Sequence, residues 1–153
     1  MNVRREELDS PVAAALIAAL NSELAAMYNN PAANHFRLGA VEVAPGNGAF
    51  LVAYDNGEPV GCGAIRRLDG HTAEIKRMYV APECRGRGVG HKMLDALEAE
   101  GRRLGVGRIV LETGTLQDRA LALYRSRGFA VIPAFGEYAG APATSICMGK
   151  ELA

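Results

Sequence analysis

The 153-residue sequence has no charge excess, no long apolar run and no cysteine framework, and each shortage removes a class of function. Its 17 Lys and Arg residues balance its 17 Asp and Glu residues. A domain that grips nucleic acid through bulk charge is clearly basic, so no nucleic-acid partner is expected. The longest aliphatic run, Pro11 to Leu20, is ten residues, about half of the ~20 that a membrane span needs. The start, Met1-Asn2-Val3-Arg4-Arg5-Glu6-Glu7, does not read as a signal peptide. The expectation is a soluble, cytoplasmic protein with no membrane partner. Cys62, Cys84 and Cys147 are scattered and odd in number, which fits neither a disulfide framework nor a CxxC site. His35, His71 and His91 lie far apart, with no HExxH and no cysteine at ligand spacing, so no metal is expected.

What is present reads as one globular domain over residues 1–153, with 49% apolar and 22% charged residues. Ser10-Pro11 is an N-cap followed by proline at the first helical position, and the Ala- and Leu-rich stretch to about Tyr28 predicts a helix that Asn29-Asn30-Pro31 stops. Val3 to Leu8 reads as a short leading strand; residues 31 to 48 are ambiguous, with Leu38 to Val43 an optional strand not counted in the order below. Ala49–Tyr54, Pro59–Leu68 and Thr72–Val80 predict an antiparallel meander, turned by Asn56-Gly57 and Asp69-Gly70 and ended by Ala81-Pro82. The period then changes to three and four, which predicts a helix over 88–104. A buried strand at Arg108–Glu112, a helix at Gln117–Arg127 closed by Gly128, and strands at Ala130–Ile132 and Ser145–Lys150 complete the order β-α-β-β-β-α-β-α-β-β. That order implies a single mixed α/β sheet.

The strongest local signal is Arg85-Gly86-Arg87-Gly88-Val89-Gly90, between a strand and a helix. Glycines there let the backbone approach a ligand, and the helix start offers unpaired N–H groups at its positive end. Lys76, Arg77, Arg85, Arg87 and Lys92 surround it against a single acid, Glu83, so a phosphate-bearing ligand fits. A Walker loop requires Gly-Lys-Ser/Thr, but Gly90 precedes His91-Lys92; a dinucleotide fingerprint requires glycine where His91 stands. The competing reading is a tight turn with solvated arginines.

Arg85-x-x-Gly88-x-Gly90 resembles the R/Q-x-x-G-x-G/A acetyl-CoA motif of the GNAT family of N-acetyltransferases. Downstream, Gln117-x-x-Ala120-x-x-Leu123-Tyr124-x-x-x-Gly128-Phe129 resembles that family's N-x-x-A-x-x-L-Y-x-x-x-G-F segment, with glutamine where asparagine is usual. The resemblance covers roughly residues 49 to 132. It implies a GNAT-like α/β fold, a mostly antiparallel central sheet flanked by helices. It also implies acetyl-CoA as co-substrate, held by Met78, Tyr79, Val80, Arg85, Gly86, Arg87, Gly88, Val89, Gly90, His91 and Gln117, with a backbone N–H near Val80 polarising the thioester carbonyl.

Transfer to an amine requires a neutral nitrogen. An amine of pKa ~10.4 is neutral about once in 2,500 at pH 7, a handicap of roughly 4.6 kcal/mol that a positioned base removes. Glu74, on the strand leading to the glycine turn, resembles the catalytic glutamate of the histone acetyltransferase branch and is the expected base. The alternative is a surface glutamate paired with Lys76 or Arg67. Glu112, at the end of a buried strand, is the second candidate base; it equally suits capping Thr113-Gly114-Thr115 or holding a substrate ammonium. By resemblance Tyr124 is the expected general acid for the leaving thiolate, against a packing role. No histidine is placed to activate Cys84 as a nucleophile. His35, Phe36 and Phe135-Gly136-Glu137-Tyr138 are candidate walls of an acceptor pocket. The expected function is direct acetylation of a small primary amine, with a homodimer as an option. A silent acyl-CoA sensor and a protein N-acetyltransferase are the competing readings, and no acidic run is present to hold a basic peptide.

Overall fold

The computed structural model describes residues 1–31 and 37–152, so His35 and Phe36 lie outside the described residues. Strand β1 (Asn2–Arg5) leads into helix α1 (Pro11–Met27). Ser10 starts that helix as expected: its Oγ accepts from the Ala13 N–H at 3.1 Å, and Pro11 loses no bond at the first turn. Ala13, Leu16, Leu20 and Leu24 recur at helical spacing and form the buried stripe. The optional strand at Leu38–Val43 does not form. Ala40–Val43 forms a short 3₁₀ turn instead, held by a reciprocal bond in which Glu42 Oε1 accepts from the Gly39 N–H at 2.8 Å. An acid at the third position captures that N–H more readily than a lone strand finds a ladder.

The meander follows as β2 (Gly48–Asp55), β3 (Glu58–Arg67) and β4 (Thr72–Val80). Asn56 and Gly57 both take positive φ, 51° and 80°, which a two-residue hairpin matched to strand twist requires. Helix α2 (Val89–Arg103) presents Val89, Met93, Leu94, Leu97 and Gly101 to the sheet. Met93, Leu94 and Leu97 are wholly buried, and each contributes about 1.5–3 kcal/mol. Strand β5 (Arg108–Gly114) runs two residues past its expected end, and α3 (Asp118–Ser126), β6 (Ala130–Ile132) and β7 (Ser145–Glu151) complete the chain.

The seven strands form one sheet in the order β1-β2-β3-β4-β5-β7-β6. All neighbours are antiparallel except β4 and β5. That parallel pair is joined only from Thr72↔Arg108 to Ile75↔Leu111, although the strands continue to Val80 and Gly114. Beyond the last pair they part. A bulge bends β4 at the same place: Cys62 faces Tyr79 and Ala64 faces Lys76, so Arg77 and Met78 together oppose Gly63. Arg77 sits there at φ 58°, in the left-handed region that an arginine rarely enters. Gly63 has no room for a side chain, since a Cβ would stand 2.8 Å from Leu97 Cδ1.

Candidate active site

Where β4 and β5 part, a cleft of about 290 Å³ opens. Ile75, Lys76, Arg77 and Met78 line it from β4, and Glu112, Thr113 and Gly114 from β5. Leu20, Leu24 and Tyr28 of α1 cover one side; Gln117 and Tyr124 of α3 and Pro142, Thr144 and Ser145 complete the wall.

The two candidate carboxylates fall on opposite sides of the divergence. Glu74 lies in the paired half of β4 and is 0% exposed. Its Oε1 accepts from Arg66 at 2.9 Å and its Oε2 from the Tyr138 hydroxyl at 2.5 Å. Arg66 also bonds Glu42 and Glu137, and Lys76 donates to Glu137 at 3.1 Å and to Tyr138 at 3.2 Å. Burial pulls the Arg66 guanidinium down, but its carboxylate partners outweigh that and hold it above the usual arginine value. Glu74 therefore belongs to a closed ionic knot and does not line the cleft. The surface pairing with Lys76 or Arg67 is replaced by a buried pairing with Arg66.

Glu112 follows the last β4–β5 pair directly and lines the cleft. Ser145 Oγ–H donates to its Oε2 at 2.7 Å. Burial raises its pKa above the ordinary carboxylate value, and Ser145 only partly offsets this. Tyr124 lines the same cleft from α3, packed edge-on to Phe129 at 5.8 Å. Burial, with Glu112 nearby, pushes the Tyr124 phenol well above its usual value, so it stays protonated at neutral pH.

The glycine turn delivers α2 with its N-terminus bare. Gly88 is the N-cap at φ 83°, no side chain caps the first turn, and no acid lies in it. A Cβ at Gly86 or Gly88 would meet nothing within 4 Å, which leaves the approach to those N–H groups open. Arg87, His91 and Lys92 are exposed around it, and Val89 is buried. The basic cluster is smaller than its sequence suggests. Lys76 is committed to the ionic knot, and Arg85 donates to the Val80 carbonyl at 3.0 Å and to Glu23 at 2.6 Å, its guanidinium 6.0 Å from the Tyr79 ring. Arg85 thus ties the loop to β4 and α1. Val80 is back in the ladder opposite Gly61 and does not line the cleft, whereas Met78 does. Gln117 reaches the cleft wall without capping α3. Cys84 is buried, and burial pushes the Cys62 thiol up to about 12.

Tyr28 was missed in the sequence. Its hydroxyl accepts from the Leu116 N–H at 3.2 Å, so it crosses from α1 to the β5–α3 loop. A Cβ at Gly114 would stand 1.8 Å from that hydroxyl, so the crossing requires glycine there. Their separation of 86 positions hides the pairing from any local motif.

Residues 15–129 match the model of the acetyltransferase (GNAT) family. An IAA acetyltransferase from Azospirillum brasilense is 37% identical over 153 residues, covering 99% of this chain and 98% of that protein. The chain belongs to the GNAT acetyltransferase family. This makes the GNAT chain an acetyl-CoA-dependent acyltransferase. A crystal structure from Klebsiella pneumoniae, provisionally called an acyl-CoA N-acyltransferase, superposes with TM-score 0.82 at 33% identity, covering 99% of this chain and 97% of that one. A GNAT acetyltransferase from Elizabethkingia anophelis with acetyl-CoA bound shares the fold, with TM-score 0.69 at 18% identity over 99% of this chain and 97% of that one. The family and the mixed, mostly antiparallel fold are those expected from the two motifs.

The GNAT chain's own residues suit acetyl-CoA. The bare α2 N-terminus suits a pyrophosphate, and the parted strands suit an extended amide-bearing arm. Thr113 Oγ1, in the cleft wall, is buried without a hydrogen-bond partner among the described residues. Among the described residues no group of three His, Cys, Asp or Glu side chains is placed to hold a metal, and no helix is long and apolar enough to cross a membrane.

Proposed function

We propose that residues 1–153 act as one N-acetyltransferase domain that moves the acetyl group of acetyl-CoA onto a primary amine of a small molecule by direct attack in a ternary complex. The observation that carries this reading is that Glu112 and Tyr124 line one cleft, at the point where β4 and β5 part. Glu112 is the general base. Its raised pKa brings its basicity closer to that of the ammonium whose proton it takes, and Ser145 holds it in place. Oε1 has no hydrogen-bond partner among the described residues and is the oxygen offered to the amine. The amine nitrogen bonds to the thioester carbonyl carbon, the carbon–sulfur bond breaks as the tetrahedral intermediate collapses, Tyr124 delivers its proton to the departing sulfur, and the second nitrogen proton makes good the one Tyr124 gave up. The name of the Azospirillum relative and the small volume of the cleft both support a small acceptor.

Glu112→Gln tests the reading. The amide keeps an oxygen for Ser145 and removes only the charge. The expected result is a fall in kcat of about 10²-fold at neutral pH that recovers at high pH, where the amine is already neutral. The folded-state pKa of Glu112 is raised, so its share of stability is full below the unfolded value and is lost as pH rises through the folded one. The thermal midpoint of the variant at neutral pH is therefore unchanged or higher. Normal turnover by a folded variant overturns the assignment.

A further inference from the structure

Leu20, Leu24 and Tyr28 are spaced by four along α1 and cover the cleft as one stripe, of which Tyr28 is the last member. Tyr28 also caps the end of that helix, its N–H bonded to the Leu24 carbonyl at 3.0 Å, so the backbone that carries the ring is fixed. The ring reaches across to β5. Its hydroxyl accepts from the Leu116 N–H at 3.2 Å and stands 1.8 Å from where a Cβ at Gly114 would be. Strand β5 is paired with β7 through to Gly114↔Ser145 without a register shift, so its side chains alternate to the end and positions 112 and 114 face the same way. Two residues along a strand span about 6.6–6.8 Å. The phenol of Tyr28 therefore fills the place of the side chain that Gly114 lacks, one step beyond Glu112 on the same face of β5.

We propose that Tyr28 is a specificity-determining residue, the wall that restricts the acceptor to short primary amines, and that residue 114 is glycine in order to admit it. This rests on the reading of the cleft as the acetyl-transfer site with Glu112 as base. An acceptor whose nitrogen is held at Glu112 has the Tyr28 ring as its neighbour along the strand face. The ring does not swing aside without cost, because moving it breaks the bond from Leu116. A methylene that outgrows such a wall lowers kcat/KM by about 10-fold or more.

The test is a series of straight-chain primary amines of increasing length, with ring-bearing amines at its bulky end, given to the full chain with acetyl-CoA and read by thiol release. In the wild-type chain kcat/KM falls about 10-fold or more once the amine outgrows the wall. Tyr28→Ala removes the ring and raises the long-to-short ratio of kcat/KM by about 10-fold. Gly114→Ala keeps the tyrosine but puts a methyl where its hydroxyl stands, so it displaces the ring and shifts the ratio in the same direction. Tyr28→Phe keeps the ring, loses only its anchor and shifts the ratio least. Thermal midpoints establish that the variants fold; if Gly114→Ala does not, Tyr28→Ala carries the test. An equal loss on every amine in Tyr28→Ala means a structural role and overturns the proposal, as does an unchanged ranking. Acetyl-CoA affinity that falls by calorimetry while the ranking stays put means that the phenol walls the coenzyme arm, and also overturns it. If the ranking is unmoved in Tyr28→Ala while Glu112→Gln loses its turnover, this proposal alone fails. If no amine raises thiol release by the wild-type chain above the acceptor-free rate, this proposal and the acetyl-transfer reading both fail.

Discussion

Glu74 and Glu112 are the same residue type on adjacent strands, 38 positions apart in sequence, yet their surroundings differ in kind. Glu74 lies one residue before the last β4–β5 pair, at Ile75↔Leu111, and Glu112 one residue after it. Before that pair the sheet is closed, and a charge survives there only with full partners: Arg66 and Tyr138 occupy both oxygens of Glu74. After it the two strands part, and among the described residues Glu112 has one hydrogen-bond partner, Ser145, beside a cleft. A buried charge with every lone pair satisfied holds structure. A half-buried one with a lone pair to spare can do chemistry. Proximity to the glycine turn along the chain favours Glu74, whereas the parting of the strands puts Glu112 on the cleft wall, which is why it is the proposed base.

The difference can be broken most severely at Glu74. Glu74→Ala takes a carboxylate from Arg66 and from the Tyr138 hydroxyl and leaves a cavity in the ionic knot, so the expected loss of stability is about 3–5 kcal/mol by denaturant unfolding, with kcat of the folded enzyme changed only a few-fold. A stable variant with a collapsed kcat would reverse the two roles. At the far end of the site, Gly88→Glu places a carboxylate at the bare α2 N-terminus and a side chain on a backbone at φ 83°. Calorimetry should show CoA affinity reduced by about 100-fold or more, since like charge meets phosphate at a helix start. Tyr124→Phe keeps the ring against Phe129 and removes only the proton donor. A fall in kcat of about 10-fold is expected, with an unchanged thermal midpoint; normal turnover would return Tyr124 to packing alone.

The mildest change sharpens the comparison rather than breaking it. Ser145→Ala removes a hydrogen bond that favours ionised Glu112, so the raised pKa of that carboxylate rises further. Because the base acts deprotonated, the acid limb of the pH–rate profile should move upward, with the loss of kcat growing as pH falls. An unmoved limb would place the titrating base elsewhere.

Much of the scaffold was legible locally. The Ser10-Pro11 start, the Asn56-Gly57 turn, the Gly88 N-cap and the Gly128 stop each rest on the dihedral or hydrogen-bond preferences of one or two residues, which neighbours do not override. The Leu38–Val43 segment misled because apolar residues at that length suit a strand, while Glu42 binds the Gly39 N–H and tightens a turn. The bulge left no trace. Arg77 has neither the glycine nor the proline that marks an irregular strand, and its φ is imposed by Cys62, Gly63 and the packing of Leu97. Arg85 shows the same limit from the other side: its place in the acetyl-CoA motif is plain in the sequence, but its ties to Val80 and Glu23 depend on where α1 lies.

By itself, then, the sequence determined the elements, the glycine turn before α2 and the two motifs that mark the family, because these depend on residues close together in the chain. The tertiary structure alone decided which carboxylate meets the cleft, that Lys76 and Arg85 are drawn into other bonds and that Tyr28 crosses to Gly114. Those outcomes turn on burial and on which charges face each other, and both are set by contacts between residues dozens of positions apart: Arg66 with Glu137, Lys76 with Tyr138, Ser145 with Glu112. Parallel pairing of β4 and β5 that stops at Ile75 and Leu111 leaves the last residues of the two strands unjoined to each other, and that gap, which no local preference encodes, is the cleft.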